Sequence, residues 1–314
     1  SRIANGALGI VVNILRSIPF IILLIIMIPL TVMLVGTSLG VAGAIPPLVV
    51  GAAPFYARLV EGSILDRAAL DAALAGDVTG VVHLAGYKYA GESVRRPLHT
   101  YRQNVSGTVE LLEAMRAHDV HRIVFSSSAG VYGTPDVDRV TEATPTAPAS
   151  PYGESKLVGE LLLADERAAA ALDGRPFAGV ALRYFNVIGS GSTRIRDTSP
   201  HNIVPKVLQT LAAGGTPQIN GDDYPTPDGT NVRDYVHVAD VARAHVVAAE
   251  RLERDEPLAP VYNLGSGEGA SNRRLMRAIA AATGIDFEPV IAPRRPGDPA
   301  QIVADGTLAS RDLD

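Results

Sequence analysis

Two residues four positions apart, Tyr152 and Lys156, form the pattern with the clearest chemical meaning in this sequence. Pro151 favours a helix that begins here, and residues four apart lie on one face of a helix. A phenol and an ammonium placed in this way can reach one ligand. The cation also favours the phenolate, the form that a general base needs. On its own the pattern is common, because two surface side chains produce it as well.

Three serines supply the second part of the pattern. Ser126, Ser127 and Ser128 end an apolar run that begins at Arg122 and is typical of a buried parallel strand. Ligands of open α/β sheets bind at the carboxyl edge of the strands. We therefore expect the serine hydroxyls to lie close to Tyr152 and Lys156. Ser127 fits equally well a hydroxyl that only satisfies backbone groups at the end of the strand.

Strands and helices alternate through the middle of the chain. Apolar runs predict strands at 80–85, 122–126 and 177–185, and helical spacing predicts helices at 65–75, 97–118 and 151–172. This alternation indicates βαβ units and an α/β fold with an incomplete Rossmann-type parallel sheet. Beyond Gly189 the alternation weakens and loops rich in proline and glycine multiply, which favours a smaller substrate-binding part.

Composition narrows the possible functions. The 314 residues carry a formal net charge of −5, and the absence of cysteine excludes disulfides and thiolate metal sites. Nucleic-acid binding needs a basic footprint, so no nucleic-acid partner is expected. His118 and His121 lack companion ligands, and no metal site is predicted. We interpret His83, in a buried strand, as a core residue.

The first 57 residues differ from the rest, since Arg2 and Arg16 are their only charges. Residues 17–57 are uncharged, and a membrane-spanning helix needs about 20 apolar residues. A membrane-type segment is therefore the favoured interpretation, with membrane contact through this run. A secretory signal would have a shorter apolar run and a cleavage site. A buried core helix is disfavoured by Pro19 and Pro29.

A series of motifs follows in order along residues 61–314. They include Val82-His-Leu-Ala-Gly-Tyr-Lys-Tyr-Ala-Gly-Glu-Ser93, Phe125-Ser-Ser-Ser-Ala-Gly-Val-Tyr-Gly133, Ser150-Pro-Tyr-Gly-Glu-Ser-Lys156, Leu182-Arg-Tyr-Phe-Asn186 and Asp228-Gly-Thr-Asn-Val-Arg-Asp-Tyr-Val-His-Val238. Together they resemble the extended short-chain dehydrogenase/reductase family of NAD-dependent epimerases and dehydratases, in its UDP-glucose 4-epimerase branch. The last motif is the most specific.

The resemblance implies an isomerase that interconverts UDP-glucose and UDP-galactose with bound NAD. Tyr152 is then the base that takes the proton of the sugar 4-hydroxyl, Lys156 binds the nicotinamide ribose and lowers the tyrosine pKa, and Ser128 hydrogen-bonds the reacting oxygen. Positions that match NAD contacts are Leu84, Ala85, Gly86, Lys88, Asn104, Ser126 and Phe185, besides Tyr152 and Lys156. Positions that match the substrate site are Ser128, Asn186, Asn202, Arg233, Arg295 and Asp298. Arginine forks suit diphosphate oxygens.

Some alternatives stay open. A nucleotide-sugar dehydratase would carry an acid pair just after the serine strand, where this chain has Ala129 and Gly130. Arg233 and Arg295 could also be solvated surface charges. Ile302 stands where the family often has a tyrosine beside the hexose, which leaves acceptance of N-acetylated sugars undecided.

The chain departs from the family at its start. No glycine-rich phosphate loop precedes residue 61, so impaired NAD binding and weak catalysis are expected. Residues 1–60 instead resemble the permease of a methionine-import ABC transporter, in runs such as Asn13-Ile-Leu-Arg-Ser-Ile-Pro-Phe20. A non-enzymatic permease fragment is therefore the alternative from another class of protein.

These observations predict three regions. Residues 1–60 form a membrane-type fragment, 61–187 a truncated NAD-binding domain, and 188–314 mainly a part that binds the UDP-sugar. The junction fits either a fusion of two truncated reading frames or a gene rearrangement. For the epimerase part, the resemblance implies a cytoplasmic protein and a homodimer.

Overall fold

The structure is a computed structural model that describes residues 63–192, 195, 197–295 and 298–313. The predicted membrane-type segment, the permease resemblance and the missing glycine-rich loop concern residues 1–62, and they lie outside the described residues. Within the described ranges, no helix is both long and apolar enough to cross a membrane.

The chain divides into two compact units, residues 1–75 and 76–314. In the described part of the first unit, helix α1 (Arg67–Leu74) begins after Asp66. The Asp66 carboxylate accepts hydrogen bonds from the backbone N–H groups of Ala68 and Ala69, which are unpaired in the first turn of a helix.

The second unit contains all the described strands and the remaining helices. Its strands are β1 (Val81–His83), β2 (Arg122–Ser128), β3 (Ala178–Tyr184), β4 (Asn186–Ile188), β5 (Gln218–Asn220), β6 (Val232–His237), β7 (Val261–Leu264), β8 (Gly269–Ser271), β9 (Val290–Ala292) and β10 (Gln301–Ile302). Its helices are α2 (Ala90–Arg95), α3 (Pro97–Tyr101), α4 (Gly107–Ala117), α5 (Pro151–Asp173), α6 (Ile203–Ala212), α7 (Val238–Glu253), α8 (Asn272–Thr283) and α9 (Thr307–Leu313).

The first sheet is parallel, in the order β1-β2-β3-β7. Its strands are short apolar runs, as expected of a sheet that is covered on both faces. Val124, Val180, Leu182 and Tyr262 are buried in one hydrophobic cluster, which also contains residues of α7 and α9. The α/β architecture with a parallel Rossmann-like sheet is thus confirmed for the described residues.

A second sheet follows directly from the first. Phe185 alone separates β3 from β4, and β4 pairs in parallel with β6. The order is β10-β6-β4, with β8 antiparallel to β6, and β5 and β9 form a separate parallel pair. The β3–β4 segment therefore runs from the end of the first sheet where Ser128 lies to β6, the strand that carries Arg233.

The observed elements agree closely with the predicted ones, with one irregularity. The helix predicted at 97–118 is interrupted by a π-helical turn from Arg102 to Ser106. Such turns often lie at functional sites, and this one contains the predicted cofactor residue Asn104. His83 is a buried core residue as expected: its Nε2 lies 3.0 Å from Thr108 Oγ1, and burial lowers its pKa to about 3.

Candidate active site

The first turn of α5 places Tyr152 beside the end of β2. Ser150 caps the helix by accepting a hydrogen bond from the Gly153 N–H at 3.2 Å. Gly153 also allows the helix to approach the turn after β2, because a Cβ there would lie 2.4 Å from the carbonyl oxygen of Gly130. The glycine in the Tyr-Gly-Glu-Ser-Lys motif is therefore a packing requirement that brings the tyrosine and Ser128 together.

Lys156 lies one turn further along α5 and points into the protein. Its side chain is 7% exposed, and Nζ donates a hydrogen bond of 2.7 Å to the carbonyl oxygen of Ser126. Nζ also lies 5.1 Å from the centre of the Phe125 ring and 6.0 Å from that of Tyr152. Burial lowers the pKa of Lys156 to about 8. At neutral pH the ammonium form still dominates.

Ser128 ends β2 and completes the group. The Tyr152 side chain is hydrogen-bonded to that of Ser128, which lowers the tyrosine pKa, but burial has the larger effect and raises it. Lys156 Nζ donates its hydrogen bond to the Ser126 carbonyl rather than to the phenol, so the lowering of the tyrosine pKa by Lys156 stays a prediction. The three predicted catalytic residues nevertheless lie together at the carboxyl end of the parallel sheet.

The loop after β1 is held by Asn104. Its Oδ1 accepts a hydrogen bond from the Tyr87 N–H at 2.6 Å, and its Nδ2 donates to Tyr87 O and to Ser155 Oγ on α5. Gly86 has a positive φ of 143°, and a Cβ at this position would lie 2.9 Å from Asn104 Oδ1 and 3.9 Å from Lys156 Nζ. Glycine therefore keeps the backbone open beside the ammonium, while Leu84 is exposed.

Ser126 faces a chain of polar side chains. Its Oγ lies 2.5 Å from the Tyr184 hydroxyl, which lies 2.6 Å from His245 Nε2.

Phe185, predicted as a cofactor contact, is buried with Ile302 and Ala129 in a hydrophobic cluster. Ile302 is thus a core residue behind the site and, at 8% exposure, presents little surface to a sugar.

Sequence reasoning missed a buried ion pair beneath this site. Glu160 lies one turn after Lys156 on α5, and its carboxylate accepts hydrogen bonds from Arg183 of β3 at 2.6 and 2.8 Å. Ser127 Oγ donates to the same carboxylate at 2.5 Å. Both charged side chains are less than 10% exposed. The pair therefore ties α5 to β2 and β3, and Ser127 has this structural role. No spacing along the chain pointed to Glu160, because its partner Arg183 lies 23 residues away on another element.

The predicted substrate residues form a second group around Arg233 on β6. The Arg233 guanidinium donates to Val232 O at 2.9 Å and lies 3.9 Å from a carboxylate oxygen of Asp298. Asp298 also pairs with Arg295 at 3.2 Å. Burial lowers the pKa of Arg233, an effect that Asp298 and two nearby phenols, those of Tyr235 and Tyr224, oppose. The partly buried Arg233 guanidinium therefore has one carboxylate of the described residues near it, at 3.9 Å.

The two asparagines lie at element ends. Asn186 is exposed at the start of β4, opposite Tyr235 of β6. Asn202 precedes α6 and donates a hydrogen bond to the Asp197 carboxylate.

Asp234, which follows Arg233 on β6, is fully buried. Its carboxylate accepts hydrogen bonds from the backbone of Ser266, Gly267 and Ala304, so its role is structural. No cluster of three potential metal ligands occurs in the described part of the chain.

A parallel sheet with a serine, a tyrosine and a lysine at its carboxyl edge defines a Rossmann-type α/β enzyme. Comparison with known proteins gives the family: residues 40–265 match the model of the NAD dependent epimerase/dehydratase family. The chain belongs to this family. It is 41% identical over 269 residues to a UDP-glucose 4-epimerase of Corynebacterium glutamicum, covering 83% of this chain and 78% of the relative.

Solved structures agree. The UDP-glucose 4-epimerase of Bifidobacterium longum, determined in complex with NAD+ and UDP, superposes with a TM-score of 0.74 at 40% identity, over 80% of this chain and 76% of that one. That of Stenotrophomonas maltophila, with bound NAD and formylated UDP-arabinopyranose, gives the same TM-score and identity over 81% and 76%. The resemblance inferred from the motifs is thereby confirmed.

Proposed function

We propose that this protein interconverts UDP-galactose and UDP-glucose with NAD as a bound cofactor. The relatives named above support the reaction class. The observation that carries the proposal is the meeting of Tyr152, Ser128 and Lys156 at one end of the sheet, with the phenol hydrogen-bonded to Ser128 and the ammonium one helical turn away.

The residues present fit a dinucleotide. Gly86 leaves a space beside Lys156 Nζ that a Cβ would fill, and no carboxylate of the described chain neutralises this ammonium. The ammonium uses one N–H on the Ser126 carbonyl, and the hydroxyl groups of a ribose suit its remaining buried donors. The groups that would hold NAD are Leu84, Ala85, Gly86, Lys88, Asn104, Ser126, Tyr152, Lys156 and Phe185. When bound, NAD would supply the hydride chemistry, which is acceptance of a hydride from carbon 4 of the sugar and its return to the opposite face of that carbon.

Tyr152 moves the proton in this proposal. As the phenolate, its side chain would take the proton of the sugar 4-hydroxyl and then, as the phenol, give it back, while Ser128 Oγ hydrogen-bonds the same oxygen. Burial raises the pKa of the phenol, so the resting side chain is protonated. A bound ligand that orients the Lys156 ammonium toward the site would favour the phenolate. Residues 61–187 would thus supply the cofactor side and the catalytic groups.

Residues 188–314, with Asn186, would hold the UDP group. Arg233 and Arg295 share the single carboxylate of Asp298, so their guanidinium groups have donors to spare for diphosphate oxygens. Asn202 at the start of α6 would add a contact. A homodimer and a cytoplasmic location stay predictions from the sequence.

The direct test is incubation of the purified chain with UDP-galactose, followed by measurement of UDP-glucose and of the NAD retained by the protein. Conversion at equal or higher rate with UDP-galactose than with UDP-N-acetylgalactosamine supports the stated substrate, and a competition assay between the two sugars measures the preference. If added NAD and UDP-galactose yield no UDP-glucose, the proposal is wrong.

A further inference from the structure

Among the buried side-chain nitrogen and oxygen atoms in the described part of the chain, only the hydroxyl oxygen of Tyr224 lacks a hydrogen-bond partner. The side chain is only 6% exposed. Buried hydroxyls are almost always paired, because an unpaired one costs free energy that a phenylalanine at the same position would not. An orphaned hydroxyl of this kind therefore indicates a partner supplied from outside the chain.

The position of Tyr224 is well fixed. The Tyr224 N–H donates to Gly229 O at 2.9 Å, and Gly229, with φ of 77°, closes the loop so tightly that a Cβ would lie 2.0 Å from Asp222 O. The Arg294 guanidinium stacks 4.1 Å from the centre of the tyrosine ring, and its Nε pairs with Asp223 at 2.5 Å. The unpaired hydroxyl is thus a feature of a packed loop.

Its surroundings identify the kind of partner. Arg294, which stacks on the Tyr224 ring, is followed by Arg295, and Arg295 shares the Asp298 carboxylate with Arg233. The only described acceptors of the Arg233 guanidinium are Val232 O and this carboxylate, 3.9 Å away. A phenol and a guanidinium are both donors here, and acceptors are in short supply. Phosphate oxygens are acceptors that carry the negative charge this cation lacks.

We propose that the Tyr224 hydroxyl donates a hydrogen bond to a diphosphate oxygen of a nucleoside diphosphate bound beside Arg233. The inference rests on the proposed function and adds to its substrate site a residue that the sequence did not reveal. The proposal also predicts opposite effects on two quantities: the unpaired hydroxyl lowers the stability of the protein without ligand, and it raises the affinity for the nucleoside diphosphate.

The test compares two changes of tyrosine to phenylalanine. Tyr262→Phe is the matched control, because the Tyr262 hydroxyl is also buried but is paired, donating to Asp312 at 2.9 Å and accepting from the Ala259 N–H at 2.8 Å. For each protein, thermal unfolding without ligand and calorimetric titration with UDP are measured in the same buffer.

For Tyr224→Phe we expect a melting temperature no lower than that of the unchanged protein and UDP binding weaker by about 10- to 100-fold. For Tyr262→Phe we expect melting roughly 2 to 4 °C lower and unchanged UDP binding. If the unchanged protein binds UDP and Tyr224→Phe binds it equally well, the hydroxyl pairs with water and the inference fails alone. If the unchanged protein binds no UDP, the proposed function fails with it.

Discussion

The two halves of the candidate site differ in how completely their polar groups are paired. At the end of β2, the polar groups pair with one another: Glu160 with Arg183 and Ser127, Lys156 with the Ser126 carbonyl, and Tyr152 with Ser128. Around Arg233 the charged groups share one carboxylate, and a buried hydroxyl has no partner.

This difference follows from what each half must do. A catalytic group must be held in one geometry before the substrate arrives, so its supporting contacts are internal. A binding group gains affinity by leaving its donors free until the ligand supplies acceptors. Loss of a group from the first half should therefore damage turnover or folding, and loss from the second should damage affinity alone.

The largest effect is expected for Tyr152→Phe. Removal of the phenol hydroxyl eliminates the proposed proton transfer, so turnover of UDP-galactose should fall by about 1,000-fold. UDP affinity should change little, which initial-rate kinetics and calorimetry can separate. Tyr101→Phe, a change of the same kind on the helical segment before Asn104, is the control and should keep full turnover. Turnover within tenfold of normal in Tyr152→Phe would exclude this residue as the base.

The next effect concerns stability. Glu160→Gln leaves the Arg183 guanidinium buried without its counter-charge, which should lower the free energy of unfolding by about 3–5 kcal/mol. Asp240→Asn is the control, because Asp240 pairs with Arg243 on the exposed surface of α7 and such pairs contribute about 1 kcal/mol or less. Urea unfolding measures both. Equal small losses would show that the buried pair does not hold α5 to the sheet.

Lys156 should make stability depend on pH. Its pKa is about 8 in the folded protein and 10.5 in the unfolded chain, so the unfolded chain binds more protons between these values. The free energy of unfolding should therefore rise with pH across this window, by roughly 3 kcal/mol from this residue. Lys156→Met should remove that rise. Identical pH profiles of the two proteins, measured without ligands, would contradict the burial of this ammonium.

The smallest of these effects is a loss of affinity. Arg233→Lys keeps the charge but loses the planar fork, and UDP binding should weaken by about tenfold with little change in melting temperature. Arg243→Lys on the exposed face of α7 is the matched control. A variant that binds UDP normally but melts early would place Arg233 in the structural half of the comparison.

Much of the first sheet could be predicted from local sequence. Apolar runs predicted the positions of β1, β2 and β3. The Tyr-x-x-x-Lys spacing after the serine strand predicted that Tyr152, Lys156 and Ser128 lie together at the carboxyl edge of the sheet. The position of β7 could not be predicted, because Val261–Leu264 joins β3 from about 80 residues further along the chain.

The ion pairs and pKa shifts of the site could not be predicted from the sequence either. The Glu160–Arg183 pair depends on how α5 lies across β2 and β3, and the Tyr152 pKa depends on whether burial or charge has the larger effect. The orphaned hydroxyl of Tyr224 depends on the packing of a loop. Such features arise from contacts between distant segments, which spacing along the chain does not encode. The membrane-type interpretation of residues 17–57 stays a prediction.

Tyr152 and Arg233 serve separate steps of one reaction in this proposal, and turnover and UDP affinity measured side by side in two variants can separate them. We expect Tyr152→Phe to convert almost no UDP-galactose to UDP-glucose yet to bind UDP normally. We expect Arg233→Lys to bind UDP weakly yet to approach normal turnover at saturating substrate. Loss of both properties in both variants, or of neither, would contradict it.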